Sequence, residues 1–214
     1  MGTRSYPIVE KFHSIQGEGI QAGEQAFFLR FHGCNLECVF DKTHKCDEPL
    51  HVTGGITEMT LLEIEIAARK IPTTLNVIIT GGEPSIQPGI EELISFLKRM
   101  GFYVAVETNG ENVEKLIHAD LITYSPKVGF SKKARLIPFE LMTELEANVE
   151  LKLLANANKP VEVDLWDEYS LKYVQPINFE SDIDMESVKY CTDFVTNNPD
   201  WKLSMQMHKV AKVQ

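Results

Sequence analysis

The chain has 214 residues, 43% of them hydrophobic and 24% charged, with a formal net charge of −10. That length can bury a substantial core, and residues 1–214 are expected to form a single domain. The acidic balance argues against a phosphate-tracking nucleic-acid surface, and no apolar run approaches the roughly 20 residues that cross a bilayer.

The first residues have no apolar stretch of signal-peptide type, so a cytoplasmic, reducing compartment is expected. In such a compartment clustered cysteines serve metals or catalysis more often than disulfides.

Residues 7–12 and 25–32 read as early strands, followed by a polar, irregular loop over 41–55. Thr60-Leu61-Leu62-Glu63 is a capping box that opens a helix running to about residue 70. Residues 75–80 form a short β-branched run of strand length. In 88–100, Ile90, Leu93, Ile94 and Leu97 fall at i, i+3, i+4 and i+7, which predicts a helix stopped by Gly101. Strands are predicted at 102–107 and 121–124, with a brief helical segment between them. A helix at 140–145, strands at 149–154 and 172–174, a helix at 184–197 and a last strand at 201–206 complete the chain. Cys191 shares helical spacing with Val188 and Val195, so it is assigned to the core. This alternation predicts an α/β fold with a mainly parallel sheet.

The polar signatures fall after the strands. Thr80-Gly81-Gly82-Glu83-Pro84, Glu107-Thr108-Asn109-Gly110, Ser125-Pro126-Lys127, Gln175-Pro176 and Gln206-Met207-His208-Lys209 each follow one. Ligands bind at the carboxyl ends of parallel strands, so five such motifs mark one binding rim. Cys34, Cys38 and Cys46 lie behind the apolar run Phe27-Phe28-Leu29-Arg30-Phe31. Three thiolates can hold an iron–sulfur cluster and leave one iron open; with His44 they could instead form a zinc site.

The cysteines together with Gly81-Gly82-Glu83-Pro84 resemble the radical S-adenosylmethionine (SAM) superfamily. Ser14-Ile15-Gln16-Gly17-Glu18-Gly19, Arg30, Gly33-Cys34-Asn35-Leu36 and the five rim motifs, in this order, narrow the resemblance. From about Phe12 onward the chain is similar to the 7-carboxy-7-deazaguanine synthase family. The resemblance implies a modified, incomplete radical SAM (β/α) barrel that works as a homodimer. It implies a [4Fe-4S] cluster, SAM and Mg2+, and a reducing partner such as a flavodoxin or ferredoxin. The implied reaction converts 6-carboxy-5,6,7,8-tetrahydropterin to 7-carboxy-7-deazaguanine and ammonia by hydrogen abstraction and ring contraction. SAM would be held by Phe40, Gly81, Gly82, Glu83, Ser125, Lys127 and Gln175. The pterin would be held by Ile15, Gln16, Gly17, Glu18, Arg30, Thr80, Glu107, His208 and the terminal carboxylate of Gln214. Arg30 is a planar cationic fork suited to a carboxylate, and Gln16 carries both a donor and an acceptor.

The cluster loop departs from the family. Its cysteines are spaced Cys-x3-Cys-x2-Cys, followed by Asp-Thr; here Asp41 stands at the third position. Either Asp41 replaces a ligand and Thr43 takes the magnesium position, or the loop is longer and Cys46-Asp47 supplies the third thiolate. Thiolates suit iron–sulfur clusters better than carboxylates, which favours Cys34, Cys38 and Cys46. Two other readings compete: a radical SAM activase for a glycyl-radical partner, and a zinc-binding or cluster-free protein on the same fold.

Overall fold

The computed structural model describes residues 4–46, 48–145, 147–179 and 182–213. Its frame is one sheet of nine strands: β1 (Ser5–Ile15), β2 (Gln25–Phe31), β3 (Thr57–Thr60), β4 (Asn76–Gly81), β5 (Tyr103–Thr108), β6 (Leu121–Tyr124), β7 (Asn148–Ala155), β8 (Lys172–Pro176) and β9 (Trp201–Leu203). The spatial order is β3-β1-β2-β4-β5-β6-β7-β8-β9. β1 pairs antiparallel with both β2 and β3, and every other pairing is parallel. β3 and β9 remain as edges, so the expected open, mainly parallel α/β architecture is present.

The helices are α1 (Leu50–Thr53), α2 (Leu61–Ala68), α3 (Ile90–Arg99), α4 (Phe139–Thr143), α5 (Met185–Asn197) and α6 (Met207–Ala211). α3 follows its apolar period: Ile90, Leu93, Ile94 and Leu97 are fully buried. Glu91 and Glu92 occupy its first turn and Lys98 and Arg99 its last, each complementing the helix dipole. The capping box at α2 is complete, with Thr60 N–H donating to Glu63 at 2.8 Å and Glu63 N–H to Thr60 Oγ1 at 3.4 Å. Thr60→Ala is expected to lower stability by about 1 kcal/mol, read as a lower urea midpoint at unchanged slope. α5 is capped by Asp184, which accepts from Glu186 N–H at 3.0 Å, and Cys191 is fully buried within it.

Period-2 alternation gives the sheet two different faces. One carries Phe27, Leu29, Phe31, Val77, Ile79, Val104, Val106 and Ile122, which pack under α2 and α3. Further along, Tyr124, Leu151, Leu153, Val174 and Trp201 continue this layer around Cys191 of α5. The opposite face begins with an apolar floor of Ala26, Phe28, Ile78, Ala105 and Leu121, with Phe12 stacked on Phe28 at 5.0 Å. Two residues further along the strands that face turns polar, and this step creates the site.

Three elements differ from expectation. The polar loop holds the one-turn α1, and the edge strand β3 follows it with Met59 as its single buried residue; four residues with one buried apolar side chain give no readable period. The last strand stops at Leu203, and 207–211 turns helical. Ser204 N–H still reaches Val174 O, but the chain then bends so that Met207 N–H donates to Gly17 O at 3.1 Å.

Candidate active site

A cleft of about 2440 Å³ opens on the polar face. Phe12 and Phe28 of the apolar layer line it, as do polar side chains one step along the strands, a belt that includes Arg30, Thr80, Glu107 and Lys152. Register places Arg30 beside Thr80, Glu107 beside Thr123 and Thr123 beside Glu150. Thr80 Oγ1 donates to Glu107 at 2.8 Å, and Gln16 Nε2 donates to the other Glu107 oxygen at 3.2 Å. The motif residues of separate strands therefore converge because each occupies an inward position at a carboxyl end.

The segment after β1 crosses this face. Gly19 N–H donates to Ser204 Oγ at 3.1 Å and Ile20 N–H to Glu150 at 2.8 Å, tying the first strand's loop to β7 and β9. Gly17 is required there: a Cβ would lie 2.4 Å from His208 Nδ1. His208 thus sits against Gly17, and burial lowers its pKa, keeping the ring neutral at pH 7.

Lys152 is the centre of the belt's electrostatics. Its ammonium contacts Glu18 and stands 4.0 Å from Glu107, with its side chain 7% exposed. Burial alone would raise the Glu18 pKa; the Lys152 charge and hydrogen bonds from Lys152 and Gln206 more than reverse this, so its net shift is downward. Lys152 shows the complement: burial opposes its charge, Glu18 and Glu107 outweigh that, and its pKa rises. Glu150, held by Thr123 at 2.7 Å, is shifted upward chiefly by burial. Neither Lys152 nor Glu150 carries a motif. Their signal is alternation: the two charges on one face of a buried strand alternate with Val149, Leu151 and Leu153 on the other.

Cys34, Cys38 and Cys46 all face the cleft. Leu36 N–H donates to Cys34 Sγ at 3.4 Å, and Asn109 Nδ2 lies 3.8 Å from the same sulfur. Cys46 Sγ lies 3.4 Å from His51 Nε2. Among the described residues no three His, Cys, Asp or Glu side chains gather tightly enough to hold a single ion. Three thiols lining one cleft nonetheless fit the donor chemistry of an iron–sulfur cluster. Asp41 is turned the other way, into its own loop, where Thr43 N–H, Thr43 Oγ1 and His44 N–H donate to it at 2.7, 2.8 and 2.8 Å. His44, the alternative zinc ligand, is bound to Asp41 and stacked on Phe179 at 3.8 Å. Asp47 and Gln214 lie outside the described residues.

Several assigned residues do other work. Glu83, expected at SAM, is fully buried and accepts from Ser85 N–H at 2.9 Å, Thr108 Oγ1 at 2.7 Å and Asn109 N–H at 2.6 Å. It is a strut joining the ends of β4 and β5. Phe40, also expected at SAM, is buried against Phe130 and Ile177. Gly81 and Gly82 border the cleft, but their missing Cβ atoms serve backbone packing: a Cβ at Gly82 would lie 1.9 Å from Gly33 O. Arg30 is engaged by Glu10 at 2.8 Å and Glu48 at 3.0 Å. Ser125 accepts from Lys127 at 2.8 Å, and Gln175 from Ser204 Oγ at 2.8 Å; Gln175 and Lys127 both line the cleft.

An open, mainly parallel α/β sheet with three cysteines after β2 and two glycines at the end of β4 is the arrangement of a radical SAM protein, and a radical SAM superfamily profile matches residues 28–129. The chain is 33% identical to 7-carboxy-7-deazaguanine synthase of Haemophilus influenzae over 98% of its length and 95% of that protein. It is 31% identical to the Neisseria meningitidis synthase over 98% and 94%. QueE from Escherichia coli superposes with a TM-score of 0.72 at 27% identity, covering 94% of each chain. Streptococcus suis SuiB bound to S-adenosylmethionine shares the fold, with a TM-score of 0.54 at 16% identity over 83% of this chain and 51% of that one. The chain belongs to the 7-carboxy-7-deazaguanine synthase family.

Proposed function

We propose that residues 1–214 act as one catalytic unit converting 6-carboxy-5,6,7,8-tetrahydropterin to 7-carboxy-7-deazaguanine and ammonia. Cys34, Cys38 and Cys46 would hold a [4Fe-4S] cluster, and the open iron would take SAM beside Ser125, Lys127 and Gln175. When bound, that pair supplies a 5′-deoxyadenosyl radical that abstracts hydrogen from the substrate. The protein's own share is to bind, orient and exclude water.

The observation that carries the reading is the belt itself. Gln16, Glu107 and Thr80 form one hydrogen-bonded edge centred on the Glu107 carboxylate, and all three line the cleft. Glu107 would accept from the pterin amine and a ring N–H, with Gln16 and the backbone of Ile15 and Gly17 beside it. Arg30 would receive the substrate carboxylate on releasing Glu48, as a guanidinium binds carboxylates two-pronged. Glu18 acts through Lys152 rather than by direct contact. Neutral His208 would donate to a substrate oxygen. The phenyl rings of Phe12 and Phe28 give the opposite side an apolar surface.

Thr43 is the magnesium candidate that goes with Asp41 as third ligand; with Cys46 in that place Glu48 stands where the family has its threonine, and no residue is assigned to the ion. A homodimer and a cytoplasmic location complete the proposal, as an oxygen-sensitive cluster needs a reducing compartment. Among the described residues no helix is long and apolar enough to cross a membrane.

Anaerobically reconstituted protein, given dithionite, SAM and the tetrahydropterin, is expected to form the deazaguanine product. Cluster-replete protein that cleaves SAM without forming it would overturn the substrate assignment in favour of an activase.

A further inference from the structure

The family's third cysteine follows its second after two residues, whereas seven separate Cys38 from Cys46 here. A longer loop needs a hold on that sulfur, and the short helix α1 supplies one. Leu50 and Val52 of α1 are 39% and 65% exposed, yet His51 between them is 5% exposed. An imidazole is thus buried where two apolar neighbours face solvent, and a buried polar ring calls for a partner. Its Nε2 lies 3.4 Å from Cys46 Sγ. The surroundings fix the ring: Gly33 N–H, next to Cys34, donates to His51 O at 2.9 Å, and a Cβ at Gly82 would lie 2.9 Å from His51 Nδ1. Gly54 N–H donates to Leu50 O at 2.8 Å and closes the turn.

The protonation state of the sulfur decides the direction of the bond. As a thiol, Cys46 donates to Glu48 O at 3.5 Å. A thiolate on iron has no proton to give and only accepts. The Glu48 contact then lapses, while the imidazole faces an acceptor, so Nε2 carries the hydrogen. Glu48 is itself tied to Arg30 at 3.0 Å, and the substrate carboxylate would release that tie. The imidazole contact depends on neither event.

We infer that His51 is a positioning residue for the third cluster ligand, its Nε2–H donating to the Cys46 thiolate. The inference rests on the cluster assignment proposed above. Such a donor does two things. It orients the sulfur toward the iron it must reach, which lets a cysteine displaced along a longer loop still serve as a ligand. It also draws negative charge from that sulfur. Reduction adds negative charge to the cluster, so the N–H stabilises the reduced form more than the oxidised one and raises the reduction potential.

The test uses the full-length chain, reconstituted anaerobically with iron and sulfide. His51→Leu removes the donor at similar bulk, and His51→Gln returns an N–H at similar reach. In His51→Leu a redox titration is expected to give a more negative cluster potential, and an iron chelator to strip the cluster at least about tenfold faster; His51→Gln recovers much of both. Should His51→Leu fail to fold, a second measurement decides. Pulsed paramagnetic resonance of the reduced cluster without SAM, in protein carrying isotope-labelled histidine, is expected to show a weak nitrogen coupling that disappears in His51→Gln. No such coupling, or one as strong as a nitrogen bound to iron gives, would overturn the inference, the latter by making His51 a ligand. So would an unmoved potential in His51→Leu with cluster loss within about twofold of the unaltered rate. Unaltered protein that takes up zinc instead of iron and sulfide would overturn the cluster assignment as well. Failure of this inference alone shows as an intact cluster that is insensitive to residue 51.

Discussion

Cys46→Ala is expected to bring cluster content to background and turnover down by more than roughly 100-fold, because even outer partners of metal ligands cost about 10–100-fold when removed. Asp41→Ala is expected to leave both near the unaltered level. The two residues compete for one role, and the loop separates them. Cys46 lines the cleft together with Cys34 and Cys38. The Asp41 carboxylate is saturated by its own turn, and the hydrogen bond from His44, then those from Thr43, holds its pKa well below the usual range. A carboxylate so engaged would have to give up those bonds to become a poor ligand for iron. Iron and sulfide analysis after anaerobic reconstitution decides the matter. Retained iron in Cys46→Ala alongside lost iron in Asp41→Ala would reverse the assignment.

The second large effect is expected at Lys152. Lys152→Met keeps the length of the side chain and removes its charge, leaving Glu18 and Glu107 facing each other without a cation. Removing one partner of a buried ion pair typically costs about 3–5 kcal/mol. Glu18 and Lys152 have side chains 12% and 7% exposed, so solvent screening offers little relief. Chemical denaturation should show that loss, and the double variant Glu18→Gln with Lys152→Met should recover part of it. The Michaelis constant for the pterin should rise as well, because Glu107 would turn from its position beside Gln16. Unchanged stability and unchanged substrate affinity in Lys152→Met would refute this role.

The pH dependence follows from the same pair. The folded-state pKa of Glu18 lies below its ordinary value of 4.5, so its contribution is complete above about that pH and is lost as pH falls through the folded value. That of Lys152 lies above its ordinary 10.5, so its contribution is complete below that pH and is lost as pH rises through the folded value. Between the two the pair contributes fully, and in Lys152→Met the acid limb of this profile should shrink.

Much of this was legible in the chain itself. The period of α3, the capping box of α2 and the β-branched run of β4 are local patterns, and local sterics and hydrogen bonding act on them before any tertiary contact forms. Placing the polar motifs at strand ends was enough to assemble one rim, since parallel pairing sends all those ends to one side. Gln16, Thr80 and Glu107 meet there as expected. Glu83 braces the ends of β4 and β5, and Phe40 packs on Phe130 and Ile177, contacts that their motif positions do not reveal. A buried strut and a ligand contact occupy neighbouring residues of the same turn, and only the direction of the side chain distinguishes them.

The amino-acid sequence by itself determined the long helices and central strands, the mainly parallel sheet, the three thiols and the family, because each depends on short-range pattern or on residues in a fixed order. The tertiary structure decided which side chains share a volume. It brought Lys152 to Glu18, 134 positions away in the chain, and set Gly17 against His208. It turned Asp41 into its own loop while Cys46 faced the cleft. Those outcomes depend on strand register, on the crossing of the β1 loop and on the bend after β9. Such long-range pairings are fixed by the sum of many contacts, and the motifs around Gly17, Glu18 and His208 do not reveal which residue each one meets.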